Sequence, residues 1–202
     1  MKLLQLSGIT DWALDTAARV ASNVPVRDRE DVQGGSFTTA YMKDFLVVKG
    51  CDANAGLWFD DTPVFNYQEW LRITEPRMLR DSYLKKIAEK YIARSTILFD
   101  TVLVQERMMM LGQDIIDEYG YVQEVSALSY AVECLAYEMS ITDMHEENWG
   151  IDIFGNIKMF DIMPTDMITF DPHELRRRAK ELDRAYYRFK KYARQQKTGH
   201  VK

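Results

Sequence analysis

Ile141-Thr-Asp-Met-His-Glu-Glu-Asn-Trp-Gly150, continuing as Ile151-Asp-Ile-Phe-Gly-Asn-Ile-Lys-Met-Phe-Asp161, is the stretch on which the reading of this chain turns. It sets Asp143, then Asn148 five residues on, then Asp161 thirteen after that. Ile151–Phe154 and Ile157–Phe160 read as two short strands, and Gly155-Asn156 between them is a hairpin-turn pair. Such a hairpin returns Asp161 to the side of Asn148.

Those three side chains suit one chemistry. Phosphoryl transfer needs divalent cations to offset phosphate charge, and hard oxygen ligands such as Asn and Asp suit Mg²⁺. It also needs a carboxylate that orients the attacking hydroxyl and accepts its proton. The competing reading is an Asn/Asp-rich loop whose polar groups only cap turns. A zinc site of the His-Glu-x-x-His kind fails at position 149, which is Trp, so His145 reads as a hydrogen-bonding group inside the loop.

Working outward, apolar spacing predicts that the first 24 residues form an amphipathic helix, ended by Pro25. Two β-rich runs around Lys43-Asp44, namely Gln33–Met42 and Phe45–Gly50, predict a hairpin. Residues 51–63 cluster Asp, Gly, Asn and Pro as a loop. Helices are expected over Phe65–Thr74, stopping before Pro76, and over Arg80–Ala93. Ser95–Val104 has the β-branched content of one or two strands, with Gln105–Gly112 as a connector. Helices return at Asp114–Tyr119, at Ser126–Met139 and from Pro172 onward. Strands gather in the first half and helices in the second, an α+β pattern of two unequal lobes.

The chain's 202 residues, 47% of them hydrophobic, predict one compact domain able to bury its own core. No apolar run approaches the ~20 residues of a membrane span, and Met1–Thr10 shows no signal-peptide cleavage pattern. Cys51 and Cys134 have no CxxC partner and read as free thiols of a reducing cytoplasm. The net charge of -5 hides an asymmetry. Eleven of the 26 basic residues but only three of the 31 acidic ones lie in His173–Lys202. That tail carries +8 and the body -13. In the tail, Leu175, Ala179, Leu182, Tyr186, Phe189 and Ala193 recur as one apolar stripe. The helix either packs on the body with a solvated cationic back, or contacts a polyanion or acidic protein through residues 174–197.

Asp-x-x-x-x-Asn, a short hairpin and then Asp resembles the protein-kinase-like catalytic loop and its metal-binding Asp. Asp143-Met-His145-Glu-Glu-Asn148 is closer to the Asp-x-His-x-x-Asn form of the aminoglycoside and choline phosphotransferases. The whole order, with Gly-Gly-Ser-Phe-x-x-Ala-Tyr, Val-Lys-Gly and Asp171-Pro-x-Glu-Leu175 before a basic helix, resembles the early Ser/Thr protein kinases of lytic podophages across roughly residues 30–195. The resemblance implies a minimal bilobal kinase-like fold with an N-terminal extension and N-lobe (1–107), a reduced C-lobe with the catalytic loop (108–171) and a basic C-terminal helix (172–202). It implies an ATP- and Mg²⁺-dependent enzyme that autophosphorylates or modifies host proteins, in the host cytoplasm, to shut off host functions. A kinase-like binding protein that inhibits a host enzyme or nucleic-acid complex through its basic helix is the alternative. A small-molecule phosphotransferase ranks third, because no large helical insert is present.

On the same resemblance Asp143 is the catalytic base, Asn148 and Asp161 hold the metal, and Lys49 clamps phosphate. Glu69, on the following helix, is the carboxylate that holds Lys49, with Glu75 a weaker candidate. Gly34, Gly35, Ser36, Phe37, Thr38 and Thr39 stand where a phosphate-covering loop belongs. Glu106 and Met108 stand where kinases hinge and meet adenine through backbone groups, with the Met108–Met110 run along the pocket. Ser36, Thr38 and Thr39 replace the later glycines of Gly-x-Gly-x-x-Gly. Ile-Met-Pro rather than Phe-Gly follows Asp161, no Ala-Pro-Glu follows, and only about forty residues remain for the rest of a C-lobe.

Overall fold

Val47, Val48, Val102 and Val104 are β-branched residues in short runs, and they form the centre of an antiparallel sheet. The computed structural model describes residues 4, 6, 8–26, 30–34, 38–51, 63–165 and 171–198. Its five-stranded sheet comprises β1 (Asp31–Gly34), β2 (Thr38–Lys43), β3 (Leu46–Cys51), β4 (Ser95–Leu98) and β5 (Val102–Glu106), in the order β1-β2-β3-β5-β4. The β2–β3 hairpin turns at Asp44, where φ is +53°.

α1 (Asp11–Ala21) lies across one face of this sheet. It is shorter than the helix expected within the first 24 residues, because the Thr10 hydroxyl accepts from Ala13 N and fixes the start. Ala13 and Ala17 bury against Leu46, Val48, Val102 and Val104. Small residues on α1 and Gly50 on β3 allow this close approach: a Cβ at Gly50 would lie 2.0 Å from Val20 Cγ1. Strand alternation then sends Lys49 and Leu103, a cross-strand pair, to the opposite face.

That opposite face meets the helical half. α2 (Pro63–Arg80) and α3 (Ser82–Tyr91) follow the sheet's first strands in sequence. α2 runs straight through Pro76, against the expectation that it stops there. Pro76 is on the exposed side, while Trp70, Thr74 and Met78 continue one buried face past it. Burial of that face outweighs the ~3 kcal/mol that an interior proline costs. α4 (Gly112–Tyr119) and α5 (Gln123–Glu138) lead to β7 (Ile141–Thr142), which pairs with β10 (Met163–Pro164). Between these lies a three-stranded sheet of β6 (Met110–Leu111), β8 (Trp149–Ile151) and β9 (Ile157–Met159).

The β8–β9 hairpin forms, but its strands end earlier than the expected Phe154. The buried Asp152 carboxylate accepts from Phe154 N at 2.8 Å and Asn156 N at 2.9 Å, pulling 152–156 into a turn. Gly155 closes that turn at φ +78°. α6 (Pro172–Lys197) begins at Asp171, whose carboxylate accepts from His173 N. It buries Leu175, Ala179, Leu182, Ala185 and Phe189 in the main core. Tyr91 and Lys90 of α3 both reach Asp183 of α6, at 2.7 and 2.6 Å. Among the described residues the architecture is mixed, small antiparallel sheets with six helices. Among the described residues no helix is long and apolar enough to cross a membrane.

Val is stiff at χ1, so the Gly50–Val20 approach has little room to relax. Gly50→Ala is expected to lower stability by about 1–3 kcal/mol in urea unfolding. Adding Val20→Ala should restore part of that loss; independent, additive losses would show that α1 does not rest on Gly50.

Candidate active site

A cleft of about 360 Å³ lies between the five-stranded sheet and the β8–β9 hairpin. Lys49 enters it from β3 and is only 6% exposed. Its Nζ lies 3.2 Å from Asp161 Oδ1, but off the line of a hydrogen bond. The Phe160 ring lies below, its centroid 5.2 Å from the ammonium. A buried ammonium with one poorly aligned carboxylate is under-satisfied, since three N–H donors need acceptors. It faces a cleft that an anion could enter.

Asp161 follows β9 and adopts φ +52°; its side chain is 43% exposed. The hairpin returns it as the spacing predicts, with Phe160 N donating to the Asn148 carbonyl at 2.9 Å. Asn148 is itself pinned. Its amide nitrogen donates to the Asp143 carbonyl at 2.7 Å and lies 3.1 Å from His145 Nε2. His145 Nδ1 accepts from Glu147 N at 3.3 Å, and the tautomer sets the direction of the Asn148 contact with Nε2. With its amide nitrogen engaged inside the loop, Asn148 borders the cleft with Oδ1 as its hard oxygen acceptor. Asn148 Oδ1 and the Asp161 carboxylate are therefore the groups here that could hold a hard cation.

Asp143 adopts φ +55°, a left-handed conformation uncommon for residues other than Gly, Asn and Asp. Its carboxylate does not line the cleft. It opens instead on an adjoining groove between the loop and α5. The loop thus presents Asn148 to one side and Asp143 to the other. Its position is fixed from outside by α2: Trp70 Nε1 donates to the Met139 carbonyl at 2.9 Å, and Arg77 reaches Ser140 Oγ at 3.1 Å.

The expected pairing of Glu69 with Lys49 does not form. Glu69 accepts from Arg72 at 2.7 Å, and that contact holds its carboxyl below the usual range. The cause is local, since Arg72 shares the exposed face three residues on. The inward face of α2 belongs to Val64, Tyr67 and Trp70. Asp161 takes the lysine instead.

Glu106 and Met108 both border the cleft. The Glu106 side chain is occupied elsewhere, accepting from Arg94 N at 2.9 Å and lying 3.5 Å from Lys158 Nζ. Any ligand contact there falls to the backbone. Arg107 N and Met109 N are spent on the Phe45 and Ile151 carbonyls, at 2.8 and 2.7 Å. The Met108 N–H between them takes no acceptor among the described residues. Met109 also borders the cleft, whereas Met110 packs on the main core. Thr38 borders the cleft and Thr39 does not. Gly34 ends β1, and Gly35, Ser36 and Phe37 lie outside the described residues.

Lys158, behind the cleft-bordering Glu106, is a supporting residue that the sequence reading missed. It is 4% exposed on β9 and donates to the Glu89 and Ile92 carbonyls at 3.2 and 3.4 Å, besides its contact with Glu106. Ile157-Lys-Met159 reads as a strand with an outward lysine. Only the packing of α3 against β9 turns it inward. Gly112, missed for the same reason, lets α4 abut the loop: a Cβ there would lie 2.5 Å from the Trp149 ring.

No family model matches the chain, and no curated protein matches it. Among solved structures, it is similar to WbdD in a co-crystal with the kinase inhibitor LY294002, at a TM-score of 0.41 and 12% identity. That likeness covers 71% of this chain and 34% of the other, so the chain spans about a third of the protein it matches.

Lys158→Met keeps the length of the side chain and leaves Glu106 without its cation. Removing one partner of a buried pair is strongly destabilising, and a loss on the order of 3 kcal/mol is expected in denaturant unfolding. A loss under about 1 kcal/mol, the scale of a surface pair, would show that Lys158 does not join the two halves.

Proposed function

We propose that this chain is an ATP- and Mg²⁺-dependent, kinase-like phosphotransferase acting on protein Ser/Thr hydroxyls, its own or another protein's. The observation that carries the reading is the under-satisfied, buried Lys49 ammonium beside Asp161 and the Asn148 oxygen, with Asp143 on the other side of the same loop. In this reading Lys49 binds the nucleotide's phosphates, and the Met108 N–H and neighbouring carbonyls orient its base. Asn148 Oδ1 and Asp161 would hold Mg²⁺, which would supply charge neutralisation on the transferring group. Asp143 orients the acceptor hydroxyl and takes its proton. The acceptor oxygen bonds to the γ-phosphorus as the bond to the β–γ bridging oxygen breaks, and ADP leaves. The motif resemblance makes a host cytoplasmic protein the acceptor.

Lys49 has to exchange its contact with Asp161 for phosphate as nucleotide enters. Asp161 is half-exposed, so the exchange does not strand a carboxylate in an apolar interior. Nucleotide binding should therefore raise the melting temperature in a Mg²⁺-dependent way. Asp143→Asn should keep that shift and lower phosphoryl transfer by about 10²–10⁴-fold, the range of general-base removal. Transfer surviving at the wild-type rate would sink the assignment. Lys49→Met should lose the nucleotide shift itself.

The outer face of α6 supports a second reading. Lys180, Arg184, Arg188, Lys191 and Arg194 are exposed and have no acidic partner among the described residues. Such a face suits contact with a polyanion or acidic protein. Reversing Arg184, Arg188 and Arg194 to Glu should abolish salt-sensitive retention on heparin and leave the nucleotide shift intact. Unchanged retention would remove the second reading.

A further inference from the structure

The groove on which Asp143 opens encloses about 520 Å³, more than the cleft itself. One wall is α5, through Tyr130, Glu133, Tyr137 and Glu138; the loop from Thr142 to Glu146 is the other. Arg178 of α6 closes one side.

Charge in this groove is unbalanced. Glu133, Glu138, Asp143 and Glu146 border it, against a single guanidinium. Arg178 is already committed, 3.1 Å from Glu174 and 3.2 Å from Glu181. Loss of water holds the Glu138 carboxyl above its usual range, and the neighbouring Glu174 and Asp171 charges add to it. Carboxylates crowded in this way gain from a cation. The walls also carry the exposed rings of Tyr130 and Tyr137, faces on which guanidinium and ammonium groups settle. Ser129 Oγ, buried and without a hydrogen-bond partner, borders the same groove.

The dimensions favour an extended chain over a compact amine. From Tyr130 to Glu138, α5 advances about 12 Å at 1.5 Å per residue. That length matches roughly four residues of extended peptide. Its C-terminal end lies toward Asp143, so a chain laid along α5 ends at the carboxylate.

We propose that this groove is the acceptor site and takes an extended, Lys/Arg-rich peptide whose Ser or Thr hydroxyl sits at Asp143. The proposal rests on the phosphotransferase reading for the hydroxyl's fate, in which its oxygen bonds to the γ-phosphorus, its proton passes to Asp143 and ADP departs. Recognition of the peptide is a separate property. Glu133 and Glu138 draw the flanking cations, and the tyrosine rings hold their side chains. Long-range attraction to the groove makes capture salt-dependent.

The test uses the whole protein and two fluorescein-labelled peptides, one with a serine among Lys and Arg, one with the same serine among Glu. Anisotropy should show the basic peptide binding to the wild type and at least as tightly to the Arg184→Glu/Arg188→Glu/Arg194→Glu variant, from which any acidic peptide held by the outer face of α6 is lost. Glu133→Lys/Glu138→Lys should weaken the basic peptide at least tenfold, with an unchanged melting temperature as the check on folding. Glu133→Gln, which keeps the side-chain size, should give a smaller loss in the same direction. Equal binding of both peptides to that α6 variant, no binding of the basic one, or wild-type affinity in the Glu133→Lys/Glu138→Lys variant would overturn the proposal. Displacement of the peptide by an equimolar polyamine would overturn a peptide as the occupant. Binding needs no phosphoryl transfer, so the two readings fail separately. Selective binding without transfer keeps the groove and sinks the phosphotransferase.

Discussion

Two buried lysines tie the sheet to the hairpin, and the cleft exists because they run in opposite directions. Lys49 leaves β3 for Asp161 beyond β9, and Lys158 leaves β9 for Glu106 at the end of β5. Each half of the molecule therefore supplies one cation and one anion to the other. A buried ammonium is costly unless met, so neither half can shift far without stranding both lysines. The two contacts differ in quality. Lys158 is well supplied, with two carbonyls besides its carboxylate. Among the described residues Lys49 has only a misaligned carboxylate. One lysine holds the frame, and the other stays under-satisfied at the cleft.

The Asp143–Asn148 loop depends on this frame and on α2. Trp70 and Arg77 hold the loop's entry at Met139 and Ser140, and Phe160 holds Asn148 from the hairpin side. Within the loop, the Asn148 amide nitrogen donates to the Asp143 carbonyl and contacts His145. This division explains how one short segment serves two spaces. Asn148 borders the cleft, while Asp143, in a left-handed backbone conformation, borders the groove. α2 thus supports the site by anchoring its backbone, not by lending a carboxylate to Lys49.

The tail illustrates how charge and burial separate on one helix. Its apolar stripe is absorbed by the core, and Asp183 is held by Tyr91 and Lys90. Glu174 and Glu181 neutralise Arg177 and Arg178 nearest the groove. Of the remaining cations, Arg184 and Arg188 border a pocket beyond Tyr130, and Lys180, Lys191 and Arg194 lie exposed on the outer side. The chain therefore shows an acidic groove and a basic outer face within one helix width, a contrast that the net charge of -5 conceals.

Much of this was legible in the residues themselves. Local rules set the β2–β3 and β8–β9 hairpins, the start of α6 at Asp171-Pro172 and the return of Asp161 to Asn148. Each depends on a turn or cap only a few residues long. What only the tertiary structure decided involves groups distant in sequence. α2 passes Pro76 because Met78 has a core to enter. Glu69 turns to Arg72 because the buried face of α2 is filled. Lys158 is inward because α3 packs on β9. Lys49 meets Asp161, 112 residues away, because two sheets face each other across one cleft. Sequence spacing specifies which groups can meet through a turn; burial decides which of them must.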